Sequence, residues 1–586
     1  MQVYKAPVSD MRFALEIFGY EQVAALATFA DYDFDTVEAM LEQTARFCTH
    51  EMLPLNQVGD RQKLKYDPAT HEVTTPEGFK GLYQRFVAEG FAGIAGEQAY
   101  GGGGAPHVVA IGLSEMATAT NKSFSMCPGL NNGLIEALSH YGTEAQKKTW
   151  LRKLLTGEWS GTMCLTEPQC GTDLGLIRTK AVPDGDTFRL TGTKTWITFG
   201  EHDLTENIVH LVLARLPDAP PGIKGISAFL VPKINLDGTR NGVFCAGLEH
   251  KMGIHASPTC VIQMEDAVGH LVGAPHKGMK AMFVMMNAAR LHVGMEGVAL
   301  SEIAYQTAVA FARERRQGRS LNPERNEAGQ PADNILVHPD VRRQLANIKA
   351  TTEGLRGLAI WTAVQIDLSH HHPDDQVRSD ADDLVALLTP VMKAYGTERG
   401  FQNVSDAMQV TGGAGYTQDW PIEQYLRDVR VSMIYEGTNH VQALDLVGRK
   451  LPRGNGRAYR LFSKRIHGFC KANAENEGLA EFIKPVKAAI ERLDKVTMDL
   501  AMRGMADQEE AAAVASNYLT LFGLTALAYV WGVEAKAATT REGRFFETKL
   551  KTARYYLHNV LPEAESLVAI ISAGKAGMMA FDADEF

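Results

Sequence analysis

Residues 164–173 read Cys-Leu-Thr-Glu-Pro-Gln-Cys-Gly-Thr-Asp, and the spacing of apolar residues along the chain changes at this stretch. Before it, apolar residues recur at spacings of three and four, for example in 37–48 and 79–91, which predicts helices over 10–155. After it, alternating and continuous apolar runs predict strands as far as residue 275. The decisive stretch therefore opens a β-rich middle segment that follows a helical one.

Helical periodicity returns near Met279 and continues to the end of the chain, with a linker candidate at 452–457. The predicted strands are 188–198 (a hairpin with an internal turn), 207–214 and 225–231, and the long predicted helices are 281–312, 338–365 and 381–410. The predicted domains are a helical domain at 1–160, a β domain at 161–275, a helical bundle at 276–453 and a helical extension at 458–586. The fold class is thus α+β, mostly α.

The composition is that of a globular protein. The chain has 586 residues, of which 45% are hydrophobic and 22% charged, and its net charge is −10 (59 Lys and Arg against 69 Asp and Glu). This composition excludes disordered, collagenous and disulfide-rich classes. An acidic chain is a poor general binder of nucleic acids or anionic membranes.

Cysteine usage and apolar runs indicate a reducing compartment and no membrane span. The seven cysteines are scattered and form no C-x-x-C pair, so neither a disulfide framework nor a metal site is expected. The triplet 370–372, three consecutive histidines, is interpreted as an exposed loop between helices. The N-terminus has no secretory signal pattern. The apolar run 518–533 is shorter than the ~20 residues of a membrane helix and is predicted to be a buried helix.

Three short segments carry residues suited to ligand binding or catalysis. Around its proline and glycine, 164–173 offers backbone amides that can bind a phosphate or a flavin edge, with a capped interdomain loop as the alternative. In 435–439, Glu436 stands between apolar residues and a glycine. Apolar neighbours raise a carboxyl pKa from its ~4.3 reference, which suits a general base near neutral pH. The alternative is a glutamate in a surface turn. The glycine cluster 409–416 looks like a phosphate-binding loop, but it fits neither the Walker spacing nor the dinucleotide-binding spacing. A turn between two helices is the alternative.

Taken in order, these segments resemble the acyl-CoA dehydrogenase family. The resemblance rests on Leu-Thr-Glu-Pro at 165–168, Trp-Ile-Thr at 196–198, the glycine cluster at 412–415 and Ile-Tyr-Glu-Gly-Thr at 434–438. It covers about 30–450. The N-terminal residues and the extension narrow it to the large bacterial branch that holds fatty acyl-CoA and 3-methylmercaptopropionyl-CoA dehydrogenases. The fold implied is an N-terminal helical domain, a middle β-barrel and a C-terminal helical bundle, with an extra helical domain here.

The resemblance implies an enzyme that removes a proton from the acyl α-carbon and a hydride from the β-carbon, as in fatty-acid β-oxidation. The product is a trans-2-enoyl-CoA, and flavin N5 of FAD accepts the hydride. Glu436 is the implied base; the alternative position of the base in the family corresponds to Ala289, which cannot act as one. The backbone N–H of Glu436 and a flavin ribityl hydroxyl are implied to hold the thioester oxygen, a type of contact worth ~3–4 kcal/mol per donor.

The resemblance also assigns binding residues. The implied FAD contacts are Met163, Leu165, Thr166, Gly171, Thr172, Trp196, Thr198, Thr438 and His440, where the family commonly has glutamine, and, toward the FAD of a neighbouring subunit, Arg315, Gln409 and Gly413. The implied substrate contacts are Thr172, Asn287, Arg290, Tyr435 and Gly437, and 124–129 is the expected floor of the acyl pocket. The motif around Arg315 is one residue shorter than the common one.

The expected partners are an acyl-CoA substrate, electron-transfer flavoprotein as electron acceptor and a second copy of the chain in a homodimer. Two alternatives stay open: an acyl-CoA oxidase that uses oxygen, and a DNA-binding flavoprotein of the same fold. The latter calls for a basic C-terminal domain, whereas 458–586 has nearly equal numbers of acids and bases. The expected location is the bacterial cytoplasm.

Overall fold

The computed structural model describes residues 2–586, except for the side chains of residues 287 and 288. Its helices are α1 Val8–Ile17, α2 Tyr20–Ala24, α3 Phe34–Phe47, α4 Leu53–Arg61, α5 Phe79–Ala88, α6 His107–Tyr141, α7 Glu144–Gln146, α8 Arg152–Leu155, α9 Gly278–Glu314, α10 Pro339–His371, α11 Asp375–Thr411, α12 Gly413–Tyr416, α13 Ile422–Arg430, α14 Asn439–Asp445, α15 Arg457–Ala472, α16 Ala480–Ala506, α17 Gln508–Ala513, α18 Ala515–Ala538, α19 Arg544–Tyr555 and α20 Glu563–Ala573. Its strands are β1 Lys65–Asp67, β2 Glu72–Thr74, β3 Trp159–Cys164, β4 Lys180–Asp184, β5 Thr187–Thr198, β6 Asn207–Arg215, β7 Ile226–Pro232, β8 Val243–Leu248 and β9 Thr259–Val272.

These elements form two compact units. One is Gln43–His292, and the other joins Val293–Phe586 to the N-terminal residues up to Glu42. The first unit contains the strands and the helices α4 to α8, and the second is helical. Helices α3 and α9 each cross a boundary between the units.

The middle sheet of the first unit closes on itself. β6 pairs with β4, β4 with β5, β5 with β9, β9 with β7, and β7 with β6, while β3 and β8 pair with β6 and β9. This ring confirms the expected β-barrel.

Side-chain alternation along the strands builds two cores. On β6, Val212 and Ala214 face the barrel interior, whereas Val209, Leu211 and Leu213 pack with residues of α6 and the neighbouring helices. Both faces of β6 are buried, which accounts for its continuous apolar sequence. The predicted strands 207–214 and 225–231 are confirmed as β6 and β7.

Two predictions for the first unit are wrong. Residues 188–198 were predicted to be a hairpin, but they belong to the single strand β5, which pairs along its length with β9 and has two register shifts. Only helices were predicted as regular structure over residues 10–155, but β1 and β2 form a small antiparallel pair within them.

The second unit is a helical bundle in which the extension packs on the preceding helices. Helix α18 contains the apolar run and is long and apolar enough to cross a membrane. However, 89% of its most apolar stretch is buried inside the protein. Its Trp531 indole N–H donates to the Ala350 carbonyl of α10 (3.0 Å). The expected buried helix is confirmed.

The linker candidate is held in place by ion pairs. Arg457 Nε lies 2.6 Å from Oδ2 of Asp383, whose side chain is buried in α11, and Arg453 lies 2.8 Å from Asp382. The chain therefore enters the extension from a fixed position on α11.

Candidate functional site

The end of β3 and the loop that follows it are organised around one buried carboxylate. Glu167 Oε1 accepts hydrogen bonds from the ammonium of Lys194 (2.8 Å) and from the hydroxyl and amide of Thr179 (2.6 and 3.0 Å). Its Oε2 accepts one from the amide of Arg178 (2.7 Å). The Lys194–Glu167 pair has side chains that are 0% and 3% exposed.

The electrostatics of this pair follow from its burial. Burial alone would raise the pKa of Glu167, but Lys194 and the hydrogen bonds from Thr179 and Arg178 outweigh it and lower the pKa to about 2. Burial also lowers the pKa of Lys194 below its ordinary value, against the opposing charge of Glu167. Glu167 is thus an ionised carboxylate that fixes the loop.

The same pair joins two segments that were predicted to contact FAD. Lys194 also donates to the Leu165 carbonyl (3.0 Å), and the Thr195 amide donates to the Thr166 carbonyl (2.9 Å). Met163 and Leu165 are partly buried against the helix-facing core of the first unit. The structure therefore brings Leu165 and Thr166 beside the strand segment that leads into Trp196.

Trp196 is exposed and has an unusual backbone. Its side chain is 63% exposed and its φ is +59°, a left-handed conformation that is rare for a bulky residue and clusters at functional sites. Thr198 is half-buried two residues further on. Within residues 2–586 as described, the Thr195 hydroxyl oxygen is buried and has no hydrogen-bond partner.

Gly171 and Thr172 lie exposed in the loop after β3. Asp173 caps the short helical turn Leu174–Leu176 by accepting from the Gly175 amide (3.1 Å). A side chain added at Gly171 would meet no atom within 4 Å, so the backbone there is open to a ligand.

The residues predicted to meet the CoA part lie on α9. Arg290 is buried at 3% exposure. The side chain of Asn287 lies outside the described residues. In 124–129, Phe124 is fully buried with its ring against those of Phe79 and Phe86.

In the second unit, Glu436 lies in a tight segment between two helical turns. It is half-buried with φ +57°, and Gly437 follows with φ +81°. The Tyr435 hydroxyl donates to the Glu296 carboxylate, and the side-chain amide of Gln442 donates to the carbonyls of Glu436 (3.2 Å) and Gly437 (3.3 Å). The backbone of Glu436 is therefore held in a rarely populated conformation by hydrogen bonds to the residues on both sides of it in the chain.

Thr438 and His440 begin the next helix. The Thr438 hydroxyl caps α14 by accepting from the Val441 amide (3.3 Å). His440 is exposed, and its Nδ1 lies 3.2 Å from the Ser516 hydroxyl of α18 in the extension. The predicted cofactor histidine is therefore in contact with the extension.

Arg315, Gln409 and Gly413, which were predicted to reach a neighbouring subunit's FAD, are all exposed in the second unit. The loop after Arg315 is braced by the buried carboxylate of Asp333, which accepts from the amides of Ser320 and Glu327 (2.7 Å each). The backbone amide of Ile335 donates to the Arg315 carbonyl (3.0 Å). The shortened motif is thus an ordered loop.

Sequence reasoning missed the residues that support these segments: Lys194, Glu296 and Gln442. Lys194 stands between two threonines in a predicted strand, so its chain neighbours gave no signal of a buried ion pair. Glu296 interrupts the predicted apolar helix 281–312, but its partners lie far along the chain.

The first unit offers a surface that fits a flavin. An exposed indole, the orphaned Thr195 hydroxyl and the half-buried Thr198 lie on one strand end, and the open loop at Gly171 suits an anionic group. A flat, polar-edged ring placed at this strand end would cover the indole.

Comparison with known proteins finds matches along nearly the whole chain. Acyl-CoA dehydrogenase profiles match for the N-terminal domain (residues 35–158), the middle domain (162–267) and the C-terminal domain (276–451). A fourth profile, acetyl-CoA dehydrogenase C-terminal like, matches 462–582. The 3-methylmercaptopropionyl-CoA dehydrogenase of Ruegeria pomeroyi is 41% identical over 96% of this chain and 97% of its own. The chain belongs to the acyl-CoA dehydrogenase family. It is an oxidoreductase, and members of this family are flavoproteins.

Other acyl-CoA dehydrogenases match at similar coverage. The broad-specificity linear acyl-CoA dehydrogenase of Mycobacterium tuberculosis is 34% identical over 100% of both chains. Among solved structures, Caenorhabditis elegans ACDH-11 superposes with a TM-score of 0.79 at 20% identity, covering 95% of this chain and 91% of that one. At that identity the likeness supports the fold, including the helical extension.

Proposed function

We propose that this acyl-CoA dehydrogenase catalyses FAD-dependent α,β-dehydrogenation of an acyl-CoA thioester, with Glu436 as the base that takes the α-proton. The observation that carries the proposal is the conformation of Glu436, a carboxylate held at φ +57° by hydrogen bonds on both sides of it. Strain of this kind persists where the surrounding structure fixes it, and it concentrates at active sites.

Each group of residues has its own task in this proposal. Glu436 accepts the proton at its carboxylate, and its backbone N–H binds the thioester oxygen, where negative charge develops. Leu165, Thr166, Trp196 and Thr198 hold the flavin ring. FAD, when bound, supplies the acceptor for the hydride that leaves the β-carbon.

The two dehydrogenases named above from Ruegeria pomeroyi and Mycobacterium tuberculosis act on different acyl groups, 3-methylmercaptopropionyl and linear acyl groups. The test is therefore anaerobic mixing of the FAD-loaded protein with acyl-CoAs from four to sixteen carbons and with 3-methylmercaptopropionyl-CoA. We expect the yellow flavin absorbance to bleach with at least one of them and the matching 2-enoyl-CoA to form. A colourless protein that cannot be reconstituted with FAD, or no bleaching with any thioester, would contradict the proposal.

The electron acceptor is tested with the same reduced protein. We expect slow reoxidation in air and fast reoxidation by electron-transfer flavoprotein. Rapid reoxidation by oxygen would favour the oxidase alternative.

A further inference from the structure

A second carboxylate, Glu296 of α9, lies beneath the segment that carries the base. It is 7% exposed, and it accepts hydrogen bonds from the Tyr435 hydroxyl (2.5 Å to Oε1 and 2.6 Å to Oε2) and from the Ser432 hydroxyl (2.6 Å to Oε2). These lengths are those of charge-assisted O–H···O bonds, which are roughly twice as strong as neutral ones.

Tyr435 keeps its proton in this arrangement. Burial, and then the negative charge of Glu296, raise the pKa of Tyr435 well above its ordinary value. The phenol therefore keeps its proton, and stays a donor, at neutral pH. Both oxygens of Glu296 accept hydrogen bonds from these hydroxyls, so Glu296 is poorly suited to act as a base itself.

The contacts of Glu296 fix the chain on the N-terminal side of Glu436. Tyr435 is its immediate neighbour, and Ser432 lies one turn earlier. On the C-terminal side, the Gln442 amide and the Thr438 cap hold the next residues. A glutamate whose backbone is in the left-handed region needs such support, because its side chain disfavours that conformation.

We propose that Glu296 is a positioning residue that, through Tyr435 and Ser432, holds Glu436 in the orientation from which it takes the substrate's α-proton. This inference rests on the proposed function of Glu436. Its physical basis is that proton transfer demands a narrow range of distances and angles between the carboxylate and the α-carbon. Loss of Glu296 should therefore slow the chemical step more than it weakens substrate binding.

The experiment uses the full-length, FAD-loaded protein and the variants Glu296→Gln, Tyr435→Phe and Ser432→Ala. We expect kcat to fall about 10- to 100-fold in Glu296→Gln and Tyr435→Phe, as for a small misplacement of a reacting group. The acyl-CoA dissociation constants of Glu296→Gln and Ser432→Ala, measured by calorimetry, should change much less than kcat. The kinetic isotope effect with α-deuterated acyl-CoA should increase, because proton abstraction becomes more fully rate-limiting.

The matched control is Tyr459→Phe. It removes the same kind of bond, from the Tyr459 hydroxyl to the Asp494 carboxylate (2.8 Å), within the extension. This control should leave kcat and the isotope effect at wild-type values. A purely structural role for Glu296 would lower stability or FAD content without raising the isotope effect.

The outcomes separate this inference from the proposed function. Folded Tyr435→Phe and Ser432→Ala with wild-type kcat and isotope effect would overturn the role of Glu296, even if Glu296→Gln fails to fold. A fall in kcat with an unchanged isotope effect would overturn it as well. Glu436→Gln is assayed in parallel: if that variant loses turnover while the others do not, only the positioning role fails. If Glu436→Gln keeps turnover, the base assignment itself fails.

Discussion

Among single residues, the Lys194–Glu167 pair makes the sharpest stability prediction. Lys194→Met leaves a carboxylate buried without its cation, which typically costs about 3–5 kcal/mol, and should lower the urea midpoint strongly. The double variant Lys194→Met/Glu167→Gln removes both charges and should recover much of that loss. Lys153→Met is the control, since its pair with Glu158 is exposed at 40% and 41% and exposed pairs are worth about 0–1 kcal/mol. A double variant as unstable as Lys194→Met would contradict this account.

The same pair predicts a pH dependence. Glu167 has a folded pKa of about 2, below its ordinary 4.5, so its contribution to stability is complete above the ordinary pKa and is lost as the pH falls through the folded value. Acid unfolding monitored by fluorescence should therefore be less steep below pH 4.5 in the double variant than in the wild type. Identical acid profiles would argue against an ionised Glu167.

The sequence allowed some of these residues to be predicted and not others. Glu436 and Trp196 could be predicted because each lies in a short local motif whose neighbours are adjacent in the chain. Lys194 and Glu296 could not, because their partners lie 27 and 139 residues away, and a single sequence does not give the strand register or helix packing that brings them together.

Among elements, helix α18 packs closely against α11 at Gly523. A side chain at Gly523 would lie 2.4 Å from the ring of Tyr395 in α11, so Gly523→Ala should destabilise the protein by about 1–3 kcal/mol, as overpacking does. Gly468→Ala in α15 is the matched control: no atom lies within 4 Å, and alanine is the better helix former by about 0.8–1 kcal/mol. Thermal unfolding should show a lower midpoint for the first variant and an equal or higher one for the second. Equal midpoints would mean that α18 can move away from α11.

Strand β5 illustrates why an element can be misassigned. Gly192 suggested a turn, but a side chain there would lie 2.5 Å from the Thr179 hydroxyl, so this glycine permits close packing beside a register shift in a continuous strand. Continuous apolar strands such as β6 were predictable, because burial on both faces leaves an unmistakable pattern.

For the whole molecule, we predict a homodimer of about 128 kDa, twice 64.1 kDa. Arg315, Gln409 and Gly413 are exposed, as residues that bind a neighbouring subunit's FAD must be in the separated chain. Light scattering of the FAD-loaded protein measures the mass, and removal of FAD should shift the equilibrium toward monomer, because the ligand stabilises the state that binds it. A monomeric mass at all concentrations would rule out the shared cofactor site.

The base at Glu436 is the central claim for the molecule as an enzyme, and Glu436→Gln tests it most directly. The amide is nearly isosteric but cannot accept the proton. The variant should retain FAD and bind acyl-CoA, yet reduce its flavin about 10⁴-fold more slowly in stopped-flow mixing, the upper end of the effect of removing a general base. Glu565→Gln, an exposed glutamate of α20, should match the wild type. Flavin reduction by Glu436→Gln at a rate within about tenfold of the wild type, well short of a general-base effect, would contradict the account.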